Sequence, residues 1–146
     1  MKPSTFLRAA SVVSFLFFLG HTIGFPWTPS EGGATSTLIG LMKSYRFQVF
    51  GSERTYWDFY EGFGLTVSVF QLLEAVLLWW VAMLAVKDAH RLRPIVLAFL
   101  VANLAQLVLV VRFFFLPPLV LSALCTLCLA LALWSSRHTA PGPASP

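Results

Sequence analysis

Four long apolar runs dominate this sequence and restrict what the chain can fold into. They cover Phe6–Phe25, Phe59–Val86, Pro94–Phe115 and Leu116–Trp134. An α-helix that rises ~1.5 Å per residue needs about 20 residues to cross a hydrocarbon core ~30 Å thick, and each run is near or above that length. Each run therefore predicts one membrane-spanning helix.

The composition agrees with this prediction and excludes a soluble domain. Of 146 residues, 58% are hydrophobic and only 11% are charged, which is outside the usual range of soluble proteins. We predict an all-α fold, a four-transmembrane-helix bundle over residues 1–134, followed by a disordered cytoplasmic tail over residues 135–146, which are rich in Pro, Ser and Ala. The first run lacks a small-residue cleavage site, so we interpret it as a retained helix rather than a signal peptide.

The outer loop between the first two runs, residues 26–57, opens with the turn-forming stretch PWTPSEGG. Farther along, apolar side chains recur at helical spacing, while Lys43 and Arg46 lie off that stripe. The stripe consists of Leu38, Leu41, Met42, Tyr45 and Val49. It predicts a short amphipathic helix within residues 34–51, either packed on the surface or acting as a lid. The residues that could cap its start are Thr35, Ser36 and Thr37.

Positive charge in a short connection predicts the orientation of the chain. The turn between the second and third runs carries Lys87, Arg91 and Arg93, and short loops rich in Lys and Arg stay in the cytoplasm. Both termini are then cytoplasmic, and the loop over residues 26–57 lies outside. The net charge of +4 fits a membrane surface rather than nucleic acid, because no soluble basic cluster with interleaved aromatic residues occurs.

Polar residues inside the apolar runs are the main functional signal. Burying an ionisable group in hydrocarbon is costly, so such groups usually face the interior of a bundle. In the second run, small and polar residues are spaced by three and four, which places them on one helix face. They are Glu61, Gly64, Ser68, Gln71 and Ala75, with Glu74 at the margin of that face.

Counting from the centre of each run predicts two polar layers that form a ligand-binding site. The central layer holds Gln71, Glu74, Asn103 and Gln106. The outer layer holds His21, Asp58, Glu61 and Arg112. Structural interpretations compete with this hypothesis, because Asn, Gln and Ser can simply hydrogen-bond between helices. Likewise, Thr55 and Asp58 fit a capping box at a helix start, and His21 can be a packing residue.

The fourth run contains the pair Cys125 and Cys128 in the stretch CTLC. Cysteines at this spacing share a helix face and can be redox-active when one thiolate is stabilised. No cation lies nearby in the run, so small packing residues are the competing interpretation. The helix count and this pair resemble the vitamin K epoxide reductase family, which implies a quinone-linked thiol oxidoreductase. That family also has a cysteine pair in its first loop, which residues 26–57 lack.

A broader resemblance covers nearly the whole chain. The stretches Gly20–Pro29 (GHTIGFPWTP), Met42–Phe70 and Arg91–Ile95 (RLRPI) resemble a family of small four-helix bacterial membrane proteins with no assigned activity. This resemblance implies the four-helix topology and a bacterial inner membrane. In overall shape the chain also resembles DoxX-like subunits and four-helix domains of the sterol-isomerase type, in which intramembrane acids act on apolar ligands.

These observations lead to one main functional hypothesis and two alternatives. We expect an inner-membrane protein with an outward-facing polar pocket that binds an amphipathic small molecule, a lipid or a quinone, with no other cofactor and no metal. The partners expected are the lipid bilayer and a further copy of the chain or a larger membrane complex, but no nucleic acid. The first alternative is an accessory subunit of a respiratory or photosynthetic complex. The second is the thiol oxidoreductase that uses Cys125 and Cys128.

Overall fold

The computed structural model describes residues 2–24 and 32–137. Its elements in chain order are α1 (Pro3–Gly24), α2 (Gly33–Ser44), β1 (Arg46–Val49), β2 (Ser52–Thr55), α3 (Tyr56–Asp88), α4 (Arg93–Phe113) and α5 (Leu116–Ser135). Most of the stretch PWTPSEGG and most of the tail, residues 138–146, lie outside the described residues.

The four predicted membrane spans are confirmed as helices α1, α3, α4 and α5, each long and apolar enough to cross a bilayer. Proline stands in the first turn of both α4 and α5. Its fixed φ suits that position, where its missing N–H would have no helical partner. The structure therefore has the all-α architecture expected of a chain whose backbone polar groups must be satisfied within each membrane segment.

The outer loop differs from the prediction. A helix is confirmed, but it ends at Ser44, and a β-hairpin takes the place of its expected second half. The reason is an alternating pattern, because Phe47 and Val49 are partly buried whereas Arg46 and Gln48 are exposed. The predicted capping is also wrong. Gly32 is the N-cap without a side-chain hydrogen bond, and the Thr37 hydroxyl donates to the Gly33 carbonyl at 2.8 Å.

The described residues form two compact units, residues 2–17 with 71–137 and residues 18–24 with 32–70. The first unit contains most of α1, the later part of α3, and all of α4 and α5. Its four helices pack around a shared core. The fully or nearly buried apolar residues of this core include Leu7, Ala10, Leu78, Ala82, Val96, Leu129 and Ala132.

Burial along α3 and α4 follows heptad spacing, in which positions three and four residues apart alternate along a helix. On α4 the buried residues are Val96, Asn103 and Val110. The buried residues that form the seam on α3 and just beyond it are Gly64, Ser68, Gln71, Ala75, Leu78, Ala82, Ala85 and Ala89. The small and polar face predicted from sequence for the second run is therefore confirmed. It continues to the end of the helix with alanine as its main residue.

Leu129 provides a test of core packing, because its side chain is 0% exposed while Leu127 on the same helix is 54% exposed. Leu129→Ala should lower the free energy of unfolding by about 2 kcal/mol or more, because it leaves a cavity between helices. Leu127→Ala should change it by less than about 0.5 kcal/mol. Unfolding in mixed micelles with increasing SDS, followed by circular dichroism, measures both. Equal effects of the two substitutions would contradict the described packing.

Candidate functional site

A side-chain hydrogen bond in the first unit joins α3 to α4. The Asn103 side-chain amide donates a hydrogen bond to Oε1 of Glu74 and a second one to the Phe99 carbonyl at 3.0 Å. Asn103 is buried, whereas Glu74 is only partly buried. Two of the four residues predicted for the central layer therefore meet directly.

Helices α1 and α5 bring further polar groups to the same place. The Ser14 hydroxyl and the Cys125 thiol lie 3.4 Å apart, and the thiol also donates to the Ala10 carbonyl at 3.9 Å. Ser14 also lies near the Glu74 carboxyl group. We call Ser14, Glu74, Asn103 and Cys125 the midplane cluster, since each of the four long helices contributes one member.

The helix bounds indicate the depth of the midplane cluster. Asn103 is the central residue of α4, Ser14 adjoins the midpoint of α1, and Cys125 adjoins the midpoint of α5. In α3, Glu74 is two residues past the midpoint. A spanning helix centres on the hydrocarbon core. This agreement between four independent helices therefore indicates that the cluster lies near the middle of the bilayer, where hydration is least available.

Other polar residues line the first unit near the midplane cluster. The Ser122 hydroxyl on α5 is 2% exposed and has no hydrogen-bond partner among residues 2–24 and 32–137. Ser122 precedes Cys125 by three residues and so shares its helix face. Gln71 is buried on α3 and Gln106 is partly buried on α4, each one turn from a cluster residue. A buried hydroxyl without a partner is uncommon and calls for an explanation.

The chemistry of the midplane cluster is that of a carboxyl group without a counter-ion. The ion pairs of the described residues are Arg46 with Glu53 and Arg91 with Asp88, so Glu74 takes part in none of them. A protonated carboxyl group can donate one hydrogen bond, and an ionised one accepts several. Glu74 can therefore hold a hydroxyl, carbonyl or amide group at a depth where water cannot compete.

Two residues of the predicted outer layer are placed in the second unit by local contacts. His21 Nδ1 and the Ser68 hydroxyl lie 3.1 Å apart, and the Thr22 hydroxyl donates to the same oxygen at 2.9 Å. These bonds join α1 to α3. Asp58 serves as a cap: its Oδ2 accepts from the Thr55 amide at 2.7 Å, and its own amide donates to the Thr55 hydroxyl at 3.1 Å. The capping-box interpretation is confirmed.

The other two residues predicted for the outer layer, Glu61 and Arg112, do not take part in the contacts that His21 and Asp58 make. Glu61 is partly buried in the second turn of α3, and its carboxylate forms no ion pair within the described part of the chain. Arg112 is exposed and belongs to the first unit, so its pairing with Asp58 or Glu61 stays a prediction. Ser14 and Ser122 were overlooked as site residues. Their nearness to the midpoints of their helices is the signal that could have identified them.

The thiol pair takes part in helix packing. Cys125 is buried and Cys128 partly buried, and both are free cysteines. Because the Cys125 thiol contacts Ser14 and the Ala10 carbonyl, its place in the core is explained without redox chemistry. Within residues 2–24 and 32–137, no group of three His, Cys, Asp or Glu side chains is placed to hold a metal ion.

Comparison with known proteins gives no match to a protein-family model, a curated protein or a solved structure. Inferences about function therefore depend on the geometry of this chain alone.

The bond between Glu74 and Asn103 can be measured by a double-mutant cycle. Asn103→Leu should destabilise the protein by about 1–3 kcal/mol, because it leaves a buried carboxyl group without its partner. The double variant Glu74→Leu with Asn103→Leu should recover most of this loss, since two apolar side chains then face each other. We expect a coupling energy of about 0.6–2 kcal/mol from SDS unfolding curves. Additive effects would mean that the two side chains do not interact.

Proposed function

We propose that this protein binds an amphipathic small molecule, a lipid or a quinone, within the bilayer, and that Glu74 and Asn103 hold its polar head. The observation that carries the proposal is the hydrogen bond between these side chains at the midpoints of spanning helices. An acid at this depth costs several kcal/mol by most estimates, and such residues commonly mark functional sites.

Helix packing alone does not account for Glu74. The seam of α3 is otherwise built from small side chains, and Ala75 and Leu78 beside Glu74 are buried without needing a polar partner. Replacing a buried polar pair by apolar residues of similar size is often neutral or stabilising. A partly buried carboxyl group that apolar packing does not require is therefore better explained by a ligand than by stability.

The chemistry of the midplane cluster favours a head group that accepts and donates few hydrogen bonds. A protonated Glu74 would donate to the carbonyl of a quinone or of a lipid ester, and an ionised one would accept from a lipid hydroxyl. The unpartnered hydroxyl of Ser122 offers a second donor on the facing helix. The apolar part of such a molecule would lie among the hydrocarbon-facing side chains, as is usual for largely apolar ligand sites.

The proposed setting is the inner membrane of a bacterium, with both termini in the cytoplasm. Support comes from Lys87 and Arg91, which are exposed in and beside the short turn between α3 and α4 and would resist translocation. Protease digestion of right-side-out and inverted membrane vesicles from expressing cells tests this orientation, because the turn should be cleaved only in the inverted vesicles.

Native mass spectrometry of the purified full chain tests for a ligand. The protein is reconstituted into nanodiscs that contain a short-chain quinone in one set and only phospholipid in another. We expect one small molecule to remain bound when the protein is gently released from the nanodiscs. Its mass in the two sets shows whether it is a quinone or a lipid. The double variant Glu74→Leu with Asn103→Leu should retain at least about tenfold less of it, which corresponds to ~1.4 kcal/mol of binding energy.

Thr66→Val is the matched control for that experiment. Thr66 is exposed on α3, and its hydroxyl donates to the Gly62 carbonyl of the same helix at 2.7 Å. This substitution also removes one polar group from the span but should leave ligand retention unchanged. Retention by a folded double variant would contradict the proposed site. If no small molecule is bound and other polypeptides co-purify with the chain, the accessory-subunit alternative is favoured instead.

A further inference from the structure

The tip of the β-hairpin has a sequence that does not suit its conformation. Phe50 and Gly51 form the two-residue turn between β1 and β2, and both have positive φ angles, 48° and 81°. Val49 pairs with Ser52 across the turn. Two-residue turns with this backbone strongly favour Asn followed by Gly, because a left-handed backbone is sterically unfavourable for other side chains. A phenylalanine at this position therefore strains the turn.

The side chain of Phe50 has no packing role within the described chain. Its exposed fraction is 105%, the highest among the large apolar residues. In water, a bulky ring in a strained turn would be unfavourable both for the backbone and for solvation. Residues that break local rules in this way are expected where the chain contacts something else.

Helix α2, which packs on β2, carries a second unpartnered apolar surface. Leu38 and Leu41 are 58% and 60% exposed, and they follow helical spacing along one face. No residue of α2 is buried. The segment of residues 33–55 thus displays apolar side chains both on its helix and at the tip of its hairpin.

The same segment is positively charged. It contains Lys43, Arg46 and Arg54 against a single acidic residue, Glu53. Glu53 is paired with Arg46 at 3.2 Å, whereas Arg54 donates to the Glu53 carbonyl at 2.7 Å and lies near the Asp58 carboxylate. Lys43 lies over the ring of Trp57 at 4.4 Å. Cations close to exposed apolar groups are the usual composition of a surface that binds anionic membranes.

The position of the hairpin next to α3 identifies its neighbour. Strand β2 ends at Thr55 and α3 begins at Tyr56, so no linker separates the hairpin from a membrane span. The Phe47 ring lies 4.9 Å from that of Tyr56 and 5.9 Å from that of Phe59, which places β1 alongside the first turn of α3. Aromatic residues such as Tyr56 and Trp57 concentrate at membrane interfaces. The bilayer is thus the surface beside this segment.

We propose that residues 33–55 dock on the surface of an anionic phospholipid bilayer, with the Phe50 ring inserted among the acyl chains and with Lys43 and Arg54 at the headgroups. Insertion explains why a strained and exposed aromatic residue occupies the tip. It does not depend on the ligand proposed above, because all the contacts involved lie within the second unit. Docking would fix the hairpin at the membrane surface.

Fluorescence quenching of the full chain in nanodiscs tests this docking. Phe50→Trp adds one indole at the tip, and subtraction of the parent spectrum removes the native tryptophans. With lipids brominated in their acyl chains, we expect most of the added emission to be lost. Gln48→Trp is the matched control, since Gln48 is exposed on β1 close to the tip, and its emission should be quenched far less. An indole at position 50 that bromine does not quench would overturn the proposal.

Lipid charge tests the role of the cations. Quenching at position 50 should be stronger in anionic than in zwitterionic nanodiscs, and Lys43→Gln with Arg54→Gln should abolish that difference. Each cation is worth ~1 kcal/mol at an anionic surface, so binding should weaken by about tenfold or more. If the Phe50→Trp protein that keeps Lys43 and Arg54 is quenched equally in anionic and zwitterionic nanodiscs, headgroup recognition is overturned.

Phe50→Asn separates insertion from folding of the hairpin. Asparagine suits the left-handed backbone, so the amides of residues 46–55 should exchange with solvent no faster than in the parent when both are in detergent. In anionic nanodiscs, by contrast, these amides should exchange faster in the variant than in the parent, because the bilayer protects the hairpin of the parent alone. If nanodiscs slow exchange equally in both proteins, Phe50 does not insert.

Discussion

The alternating three- and four-residue spacing of small side chains along α3 is the constraint on which the structure depends. Within lipid, apolar surface gains little by leaving one hydrocarbon phase for another, so helices associate through close packing and polar contacts. Alanine and serine permit that approach, and the Ser11 hydroxyl reaches the Ala75 carbonyl at 2.7 Å. The same short distance between α1 and α3 leaves Ser14 beside Glu74. Close packing thus creates the polar neighbourhood in which an acid can be held.

The midplane cluster has a different physical character from the seam that positions it. Serine in the seam satisfies its hydroxyl group at modest cost, as Ser68 does with His21 and Thr22. A carboxyl group requires more, since Asn103 supplies one donor and no cation neutralises it among the described residues. Because apolar substitutes would often serve packing equally well, packing alone does not explain why this position carries Glu74.

Sequence reasoning predicted the structure correctly where the spacing of apolar and small residues fits only one kind of secondary structure. The length of each apolar run determined the four spans, and heptad spacing identified the buried face of α3 from Gly64 to Ala75. It failed where the same residues fit both the spacing of a helix and the alternation of a strand. Tyr45 and Val49 fit a helical stripe, but Phe47 and Val49 also fit a strand, and the ring contact of Phe47 with Tyr56 favours the strand. Likewise, the neighbours of Glu74 depend on which helices are adjacent in the bundle, and the spacing of residues within one helix does not determine this.

Glu74 and Phe50 are the two positions where the chain departs most clearly from local rules, and the departures are of opposite kinds. One places a polar group where only apolar groups are stable, and the other exposes an apolar ring on a strained turn. A lipid bilayer satisfies both: its amphipathic molecules carry a polar head that suits a buried acid and acyl chains that suit an exposed ring. In the two proposals made above, both departures therefore have the same physical origin, which is adaptation to the membrane as solvent and as source of ligand rather than to contacts within the chain.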